Sequence, residues 1–222
     1  MTKLLSLLAF VVMSCWFAWA ANAAKELDAA TQVVQNMASS NQIPSSLLKQ
    51  AKCIAVIPKL TKAGLIVGGE HGGGVMSCRT ASGWSGPAFI TITGGSVGLQ
   101  IGAAKTDFIL LFMNDDAIGG LLKDKFEIGG EGSAVGGPVG RTAAASTDAL
   151  LRAAIISYSR SKGLFAGLEL KGVVIKADDD ENQRVYATKA RELLVPGSAM
   201  TLSKMPADVR VFPQTLARYS TK

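Results

Sequence analysis

The chain has 222 residues, of which 48% are hydrophobic and 18% charged, and a formal net charge of +6. Such a composition can bury one sizeable core and excludes a disordered or low-complexity chain. The Lys and Arg residues are dispersed, so nothing resembles the consecutive basic arm that neutralises nucleic-acid phosphates, and nucleic acid is not an expected partner.

In chain order, Met1-Thr2-Lys3 supplies a positive start, and Leu4 to Trp19 is apolar apart from Ser6, Ser14 and Cys15. Ala21-Asn22-Ala23 has A-x-A cleavage spacing, and charge resumes at Lys25, Glu26 and Asp28. This order predicts a signal peptide over 1–23 and an exported chain, periplasmic or envelope-associated, that begins at Ala24. Two alternatives stand beside it: an uncleaved membrane anchor, and a lipoprotein modified at Cys15. Met13 fits a lipobox poorly, and the apolar run from Trp16 to Ala21 is unlike a solvated tether. Removing residues 1–23 leaves 199 residues and takes one charge, Lys3, so +6 becomes +5. A mild positive balance suits attraction to an anionic surface.

Residues 24–222 read as one domain, with a helical part (24–52), a glycine-rich β core (53–187) and a C-terminal extension (188–222). Residues 25–40 form an amphipathic helix, with Leu27, Ala30, Val33, Val34 and Met37 on one face. After the break at Asn41 to Pro44, Ser45-Ser46 is expected to cap a short helix carrying Leu47, Leu48 and Ala51. Cys53 to Ile57 reads as a buried strand stopped by Pro58. Of the 24 glycines, 20 lie between Gly64 and Gly140, and they punctuate apolar strand-like runs. Phe89 to Thr93 and Val97 to Ile101 both alternate with period two, so Gly94-Gly95-Ser96 is expected to join them as a hairpin. Glycine weakens an ordinary strand but suits sharp bends, bulges and close backbone approach. The expected fold is therefore α+β: a strongly curved or barrel-like, mainly antiparallel sheet with N-terminal helices and a C-terminal helix. Asp115 to Leu122 reads as a short helix. Ala153 to Tyr158, Gly163 to Leu170 and Gly172 to Ala177 read as strands. Asp178 to Asn182 reads as an acidic turn or helix start.

Two stretches imitate a lipase. His71-Gly72-Gly73-Gly74 matches an HGGG oxyanion-hole motif, and Gly94-Gly95-Ser96-Val97-Gly98 matches the G-x-S-x-G nucleophile elbow. The triad base in that fold is a histidine placed after the serine. His71 is the chain's one histidine, and it precedes Ser96. A Ser96 esterase is thus a remote alternative, and a non-enzyme is expected. Gly130 to Gly136 departs from a dinucleotide loop by one residue and lacks βαβ context. Two cysteines and one histidine after residue 23 are too few for a closed zinc site. No cofactor or metal is expected. Cys53 and Cys78 either pair as a disulfide or remain buried thiols.

Several runs resemble the SYLF (Ysc84-like) family across roughly Ala51 to Ala187. They are Gly68 to Gly74, Trp84 to Phe89, Gly98 to Ala103, Thr106-Asp107 with Phe112 to Asn114, Gly136 to Arg141, and Ser157 to Gly167. The resemblance implies an exported bacterial member that binds rather than catalyses. Eukaryotic members bind phosphoinositide membranes, and some bind actin, so the implied partner is a phospholipid surface. The candidate contacts are basic Lys59, Lys62, Arg141, Arg160 and Lys162, with apolar Trp84 and Phe165. A structural or protein-interaction module of the envelope is the alternative, with its protein partner unidentified. Two departures accompany the resemblance. The helix at 25–40 carries no basic face, and Ala187 follows Tyr186 where the family usually has glycine.

Overall fold

A computed structural model describes residues 22–40, 42–64, 67–97, 102–122, 126–128, 134–138, 153–161, 164–167, 172–195 and 202–220. Helix α1 covers 22–39, starting two residues upstream of the expected cleavage point. Its five predicted apolar positions, Leu27, Ala30, Val33, Val34 and Met37, are all buried. Burying each of the larger ones is worth roughly 1.5–3 kcal/mol, so tertiary packing rather than helix propensity holds α1 in place. At its end the Ser40 hydroxyl donates to the Asn36 carbonyl, and the Gln42 N–H donates to that of Met37. Helix α2 is Ser45–Gln50. Its cap is Pro44, with no side-chain bond, so the two serines lie in the first turn rather than capping it. Proline at this boundary has no N–H to leave unsatisfied.

Ten strands follow among the described residues: β1 (Cys53–Gly64), β2 (Val67–Thr80), β3 (Gly83–Trp84), β4 (Ala88–Val97), β5 (Gly102–Phe112), β6 (Phe126–Ile128), β7 (Ala134–Gly136), β8 (Ile155–Ser161), β9 (Leu164–Gly167) and β10 (Val173–Ala177). Helix α3 (Asp115–Leu121) lies between β5 and β6, and α4 (Asp179–Tyr186), α5 (Ala190–Leu194) and α6 (Val211–Ser220) follow β10. The strand order is β6-β10-β4-β2-β1-β5-β8-β7, with β3 beside β2 and β9 beside β8. The described ladders are antiparallel except β7 with β8.

Chain geometry requires this sheet to curl. Eight strands laid flat at about 4.8 Å spacing would hold β6 and β7 roughly 34 Å apart. The step from Ile128 to Ala134 can reach at most about 22 Å. The two edges therefore approach each other, and the sheet is nearly closed and barrel-like, as the glycine content led us to expect.

Two local expectations are corrected. Pro58 does not stop β1. The strand continues to Gly64 through a register shift between Ile57 and Leu60. The bulge absorbs the proline, which has no ladder donor to lose. Nor is there a turn at Gly94-Gly95-Ser96. Strand β4 runs through them to Val97, and they pair with Glu70, Gly69 and Gly68 of β2. Their lack of bulk serves a long bent strand rather than a hairpin.

The helices dock through specific polar contacts. Asn182 of α4 is fully buried and acts as a substitute strand. Its Oδ1 accepts from the Phe89 N–H at 2.8 Å, and its Nδ2 donates to the Phe89 carbonyl at 3.0 Å. Asp178 caps α4 by accepting from the Glu181 N–H, so the acidic run is a helix start. Glycine is required at Gly74, where a Cβ would run into the Val56 carbonyl oxygen.

Candidate functional site

The β1 bulge creates the most distinctive polar arrangement among the described residues. Lys59 adopts φ 56°, in the left-handed region. Its N–H, lost from the ladder, donates to Asp107 Oδ1 at 3.0 Å. The second oxygen of Asp107 receives Arg160 Nη2 at 3.2 Å. Asp107 and Arg160 face each other across β5 and β8, and Arg160 is in register with Phe165 of β9. One carboxylate thus ties three strands together and fixes the direction of a guanidinium.

Lys59 and Lys105 are exposed, and Arg160 is half-buried. Lys105 lies two residues from Asp107 on β5, hence on the same face. Three cations around one carboxylate leave a local charge of +2 from the four groups Lys59, Lys105, Arg160 and Asp107. The same face continues sideways in register through Thr61, His71 and Thr93, on β1, β2 and β4. Thr61 is half-buried, and His71 and Thr93 are exposed.

The structure brings some of the sequence candidates together and separates others. Lys59 and Arg160 share Asp107, and the backbone of Phe165 is their neighbour. Lys62 has its backbone paired with Glu70 and Ala104, further along the same strand. Arg141 and Lys162 lie outside the described residues, as does Cys15. Trp84 is not at a contact surface. It is 4% exposed, and its indole N–H donates to Ser220 Oγ at 3.1 Å. The Arg79 guanidinium stacks over its ring at 4.6 Å while donating to the Ala51 and Leu48 carbonyls, each at 2.9 Å. Trp84 therefore braces α2 and α6 against the sheet, and burial lowers the Arg79 pKa. Cys53 and Cys78 are direct partners on β1 and β2, and their sulfurs are bonded.

Sequence reasoning missed Lys105 and the organising role of Asp107. A signal for the first was present, since Lys105 and Asp107 stand two apart in one strand. The Asp107 contacts were hidden, because its partners lie 48 and 53 residues away.

The lipase imitation fails on geometry as well as on sequence order. His71 is in register with Thr93, and Ser96 is in register with Gly68. The two pairs stand three positions apart along β4, about 10 Å, well beyond the reach of a nucleophile–base hydrogen bond.

Comparison with known proteins adds the lineage. Residues 93–219 match the family described as "Ysc84: Las17-binding protein actin regulator". LAS seventeen-binding protein 3 of Saccharomyces cerevisiae is 37% identical over 168 residues, which is 74% of this chain and 36% of that protein. Protein YSC84 of the same yeast is 33% identical over 177 residues, 78% of this chain and 38% of that protein. The human SH3 domain-containing YSC84-like protein 1 is 30% identical over 174 residues, 78% of this chain and 51% of that protein. Aligned regions thus span about a third to a half of the length of these relatives.

Proposed function

The chain belongs to the Ysc84 (SYLF) family, and from that premise we propose that it is an exported, non-catalytic module that binds the phosphate head groups of a phospholipid surface. The carrying observation is the convergence of Lys59, Lys105 and Arg160 on one exposed face around Asp107. Each Lys or Arg near an anionic membrane surface contributes about 1 kcal/mol of attraction. Asp107 is ion-paired with Arg160 and holds the bulge that presents Lys59. The signal-like order of residues 1–23 supports export, and the separation of His71 from Ser96 supports a binding role over ester hydrolysis.

Co-sedimentation with vesicles of anionic phospholipid at low salt tests this reading. Lys59→Asn combined with Lys105→Gln removes two charges, and asparagine tolerates the left-handed backbone at position 59. The expected result is binding about 30-fold weaker, corresponding to about 2 kcal/mol. Equal binding by the variant and the wild type, or no binding by either, overturns the reading. A second reading, a protein-interaction module, is favoured by the yeast relative named for binding LAS seventeen. Stoichiometric capture of an envelope protein by the vesicle-blind variant would select it.

A further inference from the structure

Helix α1 meets the sheet through a carboxylate. Glu26 lies on the backbone of Gly73, where a Cβ would stand 2.5 Å from Glu26 Oε1. A side chain at position 73 would push the carboxylate aside. The groups around this contact are mostly acidic. Asp178 and Glu181, at the start of α4, face Glu26 with like charge. On its own helix, Asp28 is exposed and so is Lys25. On the strands beneath, His71 lies two residues from Gly73, and Lys176 is in register with Thr91, the partner of Gly73. Arg184 is already paired with Glu181. Among the described residues no Lys, Arg or His forms an ion pair with Glu26. Burial first, then Asp178 and Glu181, raise the Glu26 pKa from 4.5 to about 7.

We infer that α1 is a pH-sensitive latch, seated most firmly on the glycine-rich strand while Glu26 carries a proton and loosened when Glu26 ionises beside Asp178 and Glu181. The direction follows from linkage. A released, solvated Glu26 titrates near 4.5, and a seated one near 7. Between those values the seated form binds the extra proton, so seating weakens as pH rises from 4.5 to 7 and the loss is complete above 7. The separation of the two values corresponds to a change of up to about 300-fold in the seating equilibrium. Release uncovers Leu27, Val33, Val34 and Met37, an apolar stripe suited to a lipid interface. The latch itself does not depend on the lipid reading; that last consequence does.

Amide hydrogen exchange over residues 22–39, compared with β1 and β5 of the same molecule, tests the latch. It is followed from pH 4.5 to 8, corrected for the intrinsic exchange rate, on the full chain and on the chain beginning at Ala24. The expected result is a selective loss of α1 protection across that window, by up to about 300-fold. An α-amino group at Ala24 lowers the midpoint without removing the dependence. Glu26→Gln holds α1 protected throughout, and Asp178→Asn with Glu181→Gln moves the midpoint to lower pH. Gly73→Ala, whose Cβ moves the carboxylate toward solvent, flattens the pH dependence of α1 protection while the strands stay protected. Protection of wild-type α1 that does not change with pH, or the same decline in Glu26→Gln, overturns the inference.

Discussion

The two ends of the long strands are built on opposite rules. At one end, Cys53 to Ile57, Val75 to Cys78 and Phe108 to Phe112 are buried on both faces of the sheet. Apart from Ala55 and a hydrogen-bonded Ser77, the side chains there are large and apolar or sulfur-bonded, and the ladders keep their register. At the other end the same strands carry Lys59, Thr61, His71 and Lys105, with glycines at 68, 69, 72 and 73. Here the ladder shifts register, and one residue takes a left-handed conformation. The sealed end gains its stability from packing and has no freedom to present groups to a partner. The open end gives up packing and uses the resulting backbone freedom to aim charges outward.

The sharpest way to break this contrast is to damage the sealed end. Phe112 is fully buried, with its ring centroid 6.4 Å from that of Phe126. Phe112→Ala should cost about 3–5 kcal/mol through lost burial and an unfilled cavity, read as a fall in the urea midpoint. Thr61→Ala, at the open end, should stay within about 0.5 kcal/mol of wild type. A similar loss at both sites would erase the distinction. The next largest effect concerns the Cys53–Cys78 bond, whose sequence separation is 25. A loop of that length stabilises by about 3 kcal/mol in the chain-entropy account. The paired replacement Cys53→Ala with Cys78→Ala should lower stability by about that amount in non-reducing urea titration. Its vesicle binding should be unchanged at temperatures where it stays folded.

What was readable in the sequence divides along the same line. Helix α1 was legible because its apolar positions recur every three or four residues, and local periodicity needs no knowledge of the rest of the chain. The curved sheet was legible because glycine interleaved with Val, Ile and Phe has few other uses. The β1 bulge was not, because Pro58 alone reads as a strand stop. The strand continues because a carboxylate from Asp107, 48 residues on, accepts the displaced N–H of Lys59. Trp84 read as a surface aromatic for a similar reason: its hydrogen-bond partner Ser220 is 136 residues away. Glu26 read as the polar side of an amphipathic helix. Its carboxylate lies over Gly73 of β2, a contact between positions 47 residues apart that only the fold reveals.

The smallest expected effect separates backbone strain from charge at the open end. Lys59 and Ala187 both hold positive φ, 56° and 54°. A non-glycine residue there costs about 1 kcal/mol relative to glycine. Ala187 ends α4 and has no charge to offer, so Ala187→Gly should raise stability by about 1 kcal/mol and leave vesicle binding as it was. Lys59→Gly should bring the same gain, because the Asp107 carboxylate still accepts the backbone N–H. It also deletes one exposed cation, and vesicle affinity should fall about 5-fold, corresponding to about 1 kcal/mol. A stabilised protein that binds less well is what strain kept for a functional purpose predicts. If Lys59→Gly gained stability and lost no affinity, the bulge would be only a way of passing Pro58 through the strand, and the cationic surface would have to be sought elsewhere on the sheet.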